Sequence, residues 1–399
     1  MNSAQQPLVS KLPDVGTTIF TVMSKLASDH GAINLSQGFP DFEPPSGLLA
    51  ALQRRLSMGG HHQYPPMHGI AELRHQIAEK ARRHYQAVVD PDLEVTVTSG
   101  ATEALYVAIQ AVVQAGDEVI VFDPAYDAYD PAVRLAGGIP IHLPLAAPGF
   151  TIDLTALKAA ITSKTRLLVI NSPHNPCGSL IDDATLTAIA QLAEEFGFYV
   201  LSDEVYEHMV FDQARHISAL EYASLRDRCF VVSSFGKTYH ATGWKVAYCI
   251  APPALTREFR KVHQFVTFTT HTPSQWAIAD FMASDEGHTA ALPAFYEDKR
   301  DGFLARFDGL GFKMVPSAGT YFQLADYSAV APLANLNDTD CAIALTKSYG
   351  VAAIPVSVFY ETPPHGQRLL RFCFAKSDGT LTDAADRLQR GLLGPKALR

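Results

Sequence analysis

The middle of the chain alternates short, wholly apolar runs with longer segments whose apolar residues recur at helical spacing. Seven runs are predicted strands: EVTVT (94–98), EVIVF (118–122), IPIHL (139–143), RLLVIN (166–171), FYVLS (198–202), CFVVSS (229–234) and KVAYCI (245–250). Between them, 102–114 and 183–196 carry helical patterns, and Gly116 and Gly197 follow as stop signals. Buried strands separated by helices predict a mainly parallel seven-stranded sheet that is covered on both faces.

The pattern changes after about residue 280. A helical stretch over 288–310 precedes three short strand patterns (GTYFQL, VAAIPV and LLRFCFA) and a last helix over 381–392. These elements predict a smaller α+β domain. The opening segment IFTVMSKLASDHG has the pattern of an amphipathic helix, which fits either domain. We expect an α/β protein with a large domain over 45–282 and a second unit that joins 1–44 to 283–399.

Composition and charge narrow the function classes. The chain has 399 residues, with 32 Lys and Arg against 41 Asp and Glu, and its formal net charge of −9 argues against a nucleic-acid partner. Its five cysteines are widely spaced and form no Cys-x-x-Cys pair, which indicates neither a disulfide framework nor a thiolate zinc site. The sequence shows no signal-peptide pattern and no apolar stretch of about 18 residues. We therefore expect a cytoplasmic enzyme without a membrane partner.

Polar residues interrupt the apolar pattern where four predicted strands end. Such ends share one edge of a parallel sheet, where sites form in this fold class. The junction TSGAT (98–102) leads into a helix and offers backbone N–H groups to a phosphate, although an ordinary turn has the same pattern. Three other junctions present Asn175, Asp203 with Tyr206, and Lys237. Taken singly, these residues have common structural explanations: an Asn-Pro turn, a helix cap and a solvated lysine.

Together the four junctions predict a site for a phosphorylated pyridine aldehyde. Lys237 would form the imine, and Asp203 would pair with the pyridine nitrogen and hold it protonated as an electron sink. Tyr206 and Asn175 would hydrogen-bond the ring oxygen and lower the pKa of the imine. Burial and nearby cations should lower the pKa of Lys237, which must be neutral to act as a base. The phosphate would lie on the helix start at Gly100, Ala101 and Thr102.

The junction motifs also carry a family resemblance. Asn-Pro-x-Gly (175–178), Asp-Glu-x-Tyr (203–206) and Ser-Phe-Gly-Lys-Thr (234–238), in that order, resemble the fold type I pyridoxal phosphate-dependent aminotransferases of class I and II. Four further motifs resemble the methionine aminotransferases and the kynurenine/glutamine aminotransferases: NLSQGFPD (34–41), QYPPMHG (63–69), TGWK (242–245) and GTYF (319–322). The resemblance covers nearly the whole chain and implies the fold type I architecture.

The resemblance implies further roles in cofactor binding. Tyr126 would stack on the cofactor ring, and Ser234 and Lys245 would reach the phosphate. The hydroxyl of Tyr64 from the neighbouring subunit would join them, which requires a homodimer with shared active sites. Apart from the resemblance, Tyr126 is a candidate core aromatic, Lys245 a surface lysine and Tyr64 a loop aromatic.

Substrate binding is assigned by the same resemblance. Arg371 lies between apolar strand residues, where a planar guanidinium can grip an α-carboxylate with two hydrogen bonds. The alternative for Arg371 is a buried structural ion pair. Gly38 would add a backbone N–H to the same carboxylate, although its pattern also fits a turn residue. Asn175 would contact the substrate as well. Phe20 and Phe268 would line the pocket, and both are otherwise candidates for the core.

These residues predict an aminotransferase. It would move the amino group of a hydrophobic, sulfur-containing or aromatic L-amino acid, of the methionine, phenylalanine, kynurenine or glutamine class, to a 2-oxoacid. The main alternative is a cysteine-S-conjugate β-lyase on the same fold. A non-catalytic cofactor-binding regulator would need a DNA-binding extension, and a nicotinamide dehydrogenase would need a glycine fingerprint; we find neither pattern. We predict no metal site, because His61, His62 and His68 lie in a proline-rich loop without carboxylate partners.

Overall fold

The computed structural model describes residues 8–284 and 287–393, in which fourteen α-helices alternate with twelve strands. The helices are α1 (Ile19–Asp29), α2 (Ser46–Ser57), α3 (Ala71–Tyr85), α4 (Ala101–Val112), α5 (Tyr129–Leu135), α6 (Leu154–Ala160), α7 (Asp183–Phe196), α8 (Ala223–Arg226), α9 (Phe235–Thr238), α10 (Pro253–Val266), α11 (Thr272–Ser284), α12 (His288–Phe307), α13 (Asp338–Tyr349) and α14 (Asp378–Leu393). The strands are β1 (Ile33–Asn34), β2 (Val95–Thr98), β3 (Glu118–Asp123), β4 (Ile139–Pro144), β5 (Thr165–Asn171), β6 (Tyr199–Asp203), β7 (Cys229–Ser234), β8 (Ala247–Ile250), β9 (Phe322–Asp326), β10 (Val351–Ala352), β11 (Ile354–Pro355) and β12 (Leu369–Cys373). No helix within the described ranges is long and apolar enough to cross a membrane.

The central sheet consists of the seven strands that the sequence pattern predicts. Their order is β2-β8-β7-β6-β5-β3-β4. Six strands share one direction, and β8 runs antiparallel to both of its neighbours, β2 and β7. The prediction of an α/β fold with a mainly parallel seven-stranded sheet is therefore confirmed.

The strands of this sheet are apolar because both of its faces are covered. Along β3, Val119 and Val121 belong to one buried cluster, whereas Ile120 and Phe122 belong to the cluster on the opposite face. This alternation follows from the period of two residues in a strand. Polar side chains are thus left to the strand ends, which is where the candidate site lies.

The ends of the predicted helices shift where capping residues intervene. Helix α7 matches the predicted range 183–196, with the Asp182 side chain accepting a hydrogen bond from Thr185 N–H at its start and left-handed Gly197 at its end. Helix α12 stops at Phe307, three residues before the predicted end, and positive φ angles follow at Gly309 and Gly311. Local glycine conformation therefore overrides the apolar period that predicts a longer helix.

Two small sheets bring the beginning and the end of the chain together. Strand β1 pairs in parallel with β10, and β12 lies between β11 and β9 in an antiparallel sheet. Helix α1 packs on α13, so the opening helix lies with the C-terminal elements. The domain ranges 45–282 and 1–44 with 283–399 stay a prediction. Residues 1–7, 285–286 and 394–399 of those ranges lie outside the described residues.

Candidate active site

A cavity of about 260 Å³ opens where the central sheet meets the segments from the two ends of the chain. Of the fifteen predicted site residues, thirteen line it: Phe20, Gly38, Gly100, Ala101, Thr102, Tyr126, Asn175, Asp203, Tyr206, Ser234, Lys237, Lys245 and Arg371. Tyr64 and Phe268 do not. The cavity lies beyond the carboxyl ends of β5, β6 and β7, as expected for this class of sheet.

Strand β6 ends at Asp203, a buried carboxylate. The Tyr129 hydroxyl donates a hydrogen bond to Asp203 Oδ2 at 2.7 Å, and the backbone N–H of Val205 donates to Oδ1 at 3.4 Å. Burial raises the pKa of Asp203 to about 6, although the hydrogen bond from Tyr129 opposes the rise. A cation against this carboxylate would stabilise its charged form, so Asp203 suits a protonated ring nitrogen.

Lys237 follows the end of β7, in the short helix α9. Its Nζ donates to Tyr321 Oη at 2.8 Å and to the carbonyl oxygen of Gly38 at 3.3 Å. Burial is the largest cause that lowers the pKa of Lys237, to about 8, and the positive charges of Arg371 and Lys245 contribute. The pKa of Lys237 is thus shifted toward neutral pH, in the direction that the sequence predicts, and the neutral amine costs less to form than in an exposed lysine.

A group of donors suited to phosphate lies at the start of α4. Gly100 has φ +84°, and no side chain caps the helix N-terminus that follows it. A Cβ at Gly100 would lie 2.8 Å from Lys245 Nζ, so the absence of a side chain lets this ammonium lie over the turn. The register Thr98 to Ala247 to Ser234 across β2, β8 and β7 brings the buried Ser234 to the same place. A helix N-terminus, a hydroxyl and an ammonium together favour an anion.

Arg371 is buried on β12 without a counter-ion. Its Nη1 donates to Asn175 Oδ1 at 2.8 Å, its Nη2 donates to the Ser36 carbonyl oxygen at 3.0 Å, and its buried Nε has no partner. The guanidinium stacks 3.9 Å from the centre of the Phe322 ring and forms no ion pair with any carboxylate of the described chain. Burial lowers the pKa of Arg371. The alternative of a structural ion pair is therefore wrong, and the uncompensated charge suits a bound carboxylate.

Three predicted residues form the walls between these groups. Asn175 is fixed by its backbone N–H, which donates to Asn171 Oδ1 at 2.8 Å. The ring of Tyr206 is buried edge-on to Tyr321, with centroids 5.1 Å apart, and burial raises the pKa of its phenol. The hydroxyl of Tyr126 lies 3.5 Å from that of Thr102. Asn175 Oδ1 is occupied by Arg371, so hydrogen bonding to a ring oxygen falls to the Asn175 amide nitrogen.

The two predicted residues outside the cavity lie together on the surface. Tyr64 is 82% exposed and Phe268 is 44% exposed, and their ring centroids are 5.5 Å apart. Phe268 therefore does not line the cavity of its own chain. Its backbone has φ +68° and its ring packs against Tyr64 instead. Tyr64 lies outside the same cavity, and its expected role in the site of a second subunit stays a prediction.

The structure adds residues that sequence reasoning missed. Asn171 lines the cavity and donates to the Asp203 carbonyl oxygen at 2.8 Å; as a polar residue at a strand end, it carried the same signal as Asp203. Tyr321 and Phe322 belong to the GTYF motif, which predicts no role for either side chain. The sequence does not indicate a role for Tyr129, because a tyrosine at the first position of a helix, here α5, has no distinctive pattern. Gln37, Phe39 and Thr242 also line the cavity.

Comparisons with known proteins identify the family of the chain. The family model for aminotransferase class I and II matches residues 30–388. The methionine aminotransferase of Escherichia coli (strain K12) is 49% identical over 96% of this chain and 99% of that protein. Kynurenine–oxoglutarate transaminase 3 of Homo sapiens is 32% identical over 95% of this chain and 88% of that protein.

Two solved structures share the fold over nearly their whole length. An Escherichia coli protein described as having a methionine aminotransferase function has a TM-score of 0.92 and 48% identity, over 96% of this chain and 100% of that chain. N-succinyldiaminopimelate aminotransferase from Mycobacterium tuberculosis also has a TM-score of 0.92, with 40% identity over 96% of this chain and 99% of that chain.

Proposed function

The chain belongs to the class I and II aminotransferases, a family of pyridoxal phosphate-dependent enzymes, and on that premise we propose that it moves the amino group of a hydrophobic, sulfur-containing or aromatic L-amino acid to a 2-oxoacid. The named relatives support this substrate class, since one is a methionine aminotransferase and another a kynurenine transaminase. The cytoplasmic location expected from the sequence stays a prediction.

The cofactor proposal rests on three features of the cavity. Asp203 would pair with the ring nitrogen, Lys237 would reach the aldehyde carbon, and the phosphate would lie on the uncapped start of α4 beside Ser234 and Lys245. Each group fits, because Asp203 is buried and forms no ion pair within the described residues, the pKa of Lys237 is lowered, and no side chain caps the start of α4. When bound, the cofactor supplies a carbonyl and an electron-accepting ring.

The observation that carries the substrate proposal is the buried Arg371 without a counter-ion, in the same cavity as Lys237. Arg371 would hold the α-carboxylate, so that the α-carbon lies beside Lys237 Nζ. Lys237 would take the α-proton onto its neutral Nζ and hold it there for transfer, and bound pyridoxal 5′-phosphate would supply the carbon that accepts it. Arg371 is the only arginine among the described residues that line the cavity, and Phe20, Phe39 and Phe322 line the same cavity. This wall favours an apolar side chain over a second carboxylate.

We also propose a homodimer with shared active sites. The rings of Tyr64 and Phe268 pack together on the surface, and Phe265, three residues before Phe268, is also exposed. Such apolar surface suits a second copy of the chain. Sedimentation of the purified protein should give a dimer, and the double substitution of Phe265 and Phe268 by Arg should reduce its mass to that of one chain. A wild-type protein that is monomeric and has full transamination activity would contradict the proposed homodimer.

The test of substrate class is a panel of amino donors with one fixed 2-oxoacid. We expect methionine, phenylalanine, kynurenine or glutamine to give the highest kcat/KM, because the cavity offers one carboxylate partner and aromatic walls. A best rate with aspartate or with N-succinyldiaminopimelate would contradict the proposed class. Release of pyruvate and ammonia from a cysteine conjugate, faster than any transamination, would establish the β-lyase alternative instead.

A further inference from the structure

The hydroxyl of Tyr321 joins two other parts of the chain. Tyr321 is fully buried just before β9, and its Oη donates to the Gly38 carbonyl oxygen at 2.5 Å. The same Oη accepts a hydrogen bond from Lys237 Nζ at 2.8 Å. Lys237 Nζ also donates to the Gly38 carbonyl at 3.3 Å, so the three groups form a closed triangle.

The hydrogen bonds of this triangle have a fixed direction. A carbonyl oxygen cannot donate, so Gly38 accepts from both of its partners. The hydroxyl of Tyr321 also interacts with that of Tyr206, but its short hydrogen bond directs its proton to Gly38, so that Tyr321 accepts from Lys237. A neutral amine has two N–H groups and one lone pair. Its two N–H groups point to Tyr321 and Gly38, and its lone pair is left free.

We propose that Tyr321 is a positioning residue for proton transfer, which holds Lys237 Nζ so that its lone pair faces the α-carbon of the bound amino acid. This inference rests on the proposed function, in which Lys237 is the base. In the transfer, the Cα–H bond breaks and an N–H bond forms on Nζ, while the electron pair of the C–H bond stays with the substrate. Tyr321 itself neither gains nor loses a proton.

The neighbouring residue couples this triangle to the carboxylate site. A Cβ at Gly38 would lie 2.5 Å from Phe322 Cζ, so only glycine lets the carbonyl approach this closely. On its other side, the Phe322 ring lies against the Arg371 guanidinium at 3.9 Å. The adjacent residues Tyr321 and Phe322 thus set the position of Lys237 relative to Arg371, which are the two groups that contact the reacting amino acid.

Tyr321→Phe tests the proposal, because it removes the hydroxyl and keeps the ring that packs edge-on against Tyr206 and Phe322. The matched control is Tyr296→Phe. Tyr296 is equally buried, its ring lies 5.9 Å from that of Tyr321, and its hydroxyl has no partner. Both variants are measured as the cofactor-loaded protein with a preferred amino donor and with the same donor deuterated at the α-carbon.

We expect Tyr321→Phe to lower kcat by about 10- to 100-fold with little change in KM, since positioning and not binding is lost. The deuterium isotope effect on kcat should rise, because proton transfer becomes slower than the other steps. Tyr296→Phe should match the wild type in all three quantities. A merely structural role for Tyr321 predicts weaker cofactor binding with an unchanged isotope effect, and that result would overturn the proposal.

A readout independent of turnover is the position of Lys237 Nζ in crystals of each variant without cofactor. In Tyr321→Phe, Nζ should move away from Gly38, whereas in Tyr296→Phe it should stay within hydrogen-bond distance of that carbonyl. Unchanged Nζ position together with wild-type kcat in Tyr321→Phe would reject the inference. Failure of the proposed function looks different, because the wild-type protein itself would then not transaminate.

Discussion

The two halves of the candidate site are built in different ways. One half is the edge of the central sheet, where Asp203, Ser234 and Lys237 follow the ends of β6 and β7. The other half consists of Gly38 and Arg371, which come from opposite ends of the chain. Strand register positions the first half. The second half is positioned by contacts between residues that are far apart in the chain, such as the hydrogen bond from Arg371 to the Ser36 carbonyl oxygen.

This difference separates two chemical tasks. The sheet edge holds groups that suit the cofactor, on the most buried part of the fold. The half from the chain ends holds the groups that suit the substrate carboxylate, with Arg371 on β12 and Gly38 in the segment after β1. Substitutions in the first half should abolish the chemistry, whereas those in the second should first weaken substrate binding. The predictions below test this division, beginning with the largest effect.

Lys237→Ala should have the largest effect. Without the amine there is no base for the α-proton, and we expect the transamination rate to fall by about 10⁴-fold or more. The measurement is oxoacid formation from the best amino donor, with circular dichroism to establish that the variant is folded. Retention of even a tenth of the wild-type rate would show that the sheet edge does not carry the base.

Arg371→Lys should weaken substrate binding while the cofactor still binds. Lysine cannot reproduce the planar fork, and the loss of a charge-assisted hydrogen bond should lower kcat/KM by about 100-fold, chiefly through KM. Arg368→Lys is the matched control, because Arg368 donates to the Ala334 carbonyl oxygen and does not line the cavity. Equal losses in the two variants would argue that Arg371 is only a structural residue.

Tyr129→Phe should have a moderate, pH-dependent effect on the sheet edge. It removes the hydrogen bond that stabilises the charged form of Asp203, so the pKa of Asp203 should rise above its value of about 6. We expect cofactor binding to weaken by roughly 10-fold between pH 6 and 7 and to recover at higher pH, where Asp203 is ionised in both proteins. Cofactor titration by absorbance at several pH values measures this, and a loss that is independent of pH would contradict it.

His142→Gln should change stability and leave catalysis nearly unchanged. His142 Nδ1 lies 2.8 Å from Asp123 Oδ1, while Asp123 Oδ2 accepts from the backbone N–H of Glu361, so this group connects β3 and β4 to the segment before β12, away from the cavity. Burial lowers the pKa of His142, but its hydrogen bonds to the carboxylates of Asp123 and Asp130 outweigh burial and raise this pKa to about 9. The unfolded value is about 6.5. The stabilisation is therefore complete below about pH 6.5 and is lost as the pH rises through 9.

The measurement for His142→Gln is the free energy of unfolding in urea as a function of pH. We expect the substitution to lower it by about 1–3 kcal/mol at pH 6.5 and by much less at pH 10. A difference that grows with pH would show that the sign of this linkage is wrong. The rate of transamination at neutral pH should stay within about twofold of the wild type, because His142 does not line the cavity.

The same division explains what the sequence could predict. All seven central strands follow from apolar runs, and Asp203, Asn175 and Lys237 follow from polar residues at strand ends, because both signals are local. Nothing local distinguishes Arg371 from a structural arginine or Gly38 from a turn residue, and their assignment needed the family resemblance. The GTYF motif contains Tyr321 but does not predict its role, because the partners of its hydroxyl, Gly38 and Lys237, are distant in the chain.

The positions of two aromatic residues do not follow from the sequence, for physical reasons. The sequence could not place Phe268 outside its own cavity, because the left-handed backbone at φ +68° that turns its ring to Tyr64 has no composition signal. Likewise, Tyr129 was missed because a tyrosine at a helix start has no pattern of its own, and only the fold brings it to Asp203.

The most direct test of the central claim, that the two halves form one aminotransferase site, is a half-reaction with a single substrate. The cofactor-loaded protein is mixed with L-methionine in the absence of any 2-oxoacid, and the released oxoacid is counted. We predict one equivalent of oxoacid per subunit, no free ammonia, and a resumption of turnover when a 2-oxoacid is added. Continuous release of ammonia without an acceptor, or no oxoacid from any apolar or aromatic amino acid, would contradict the account.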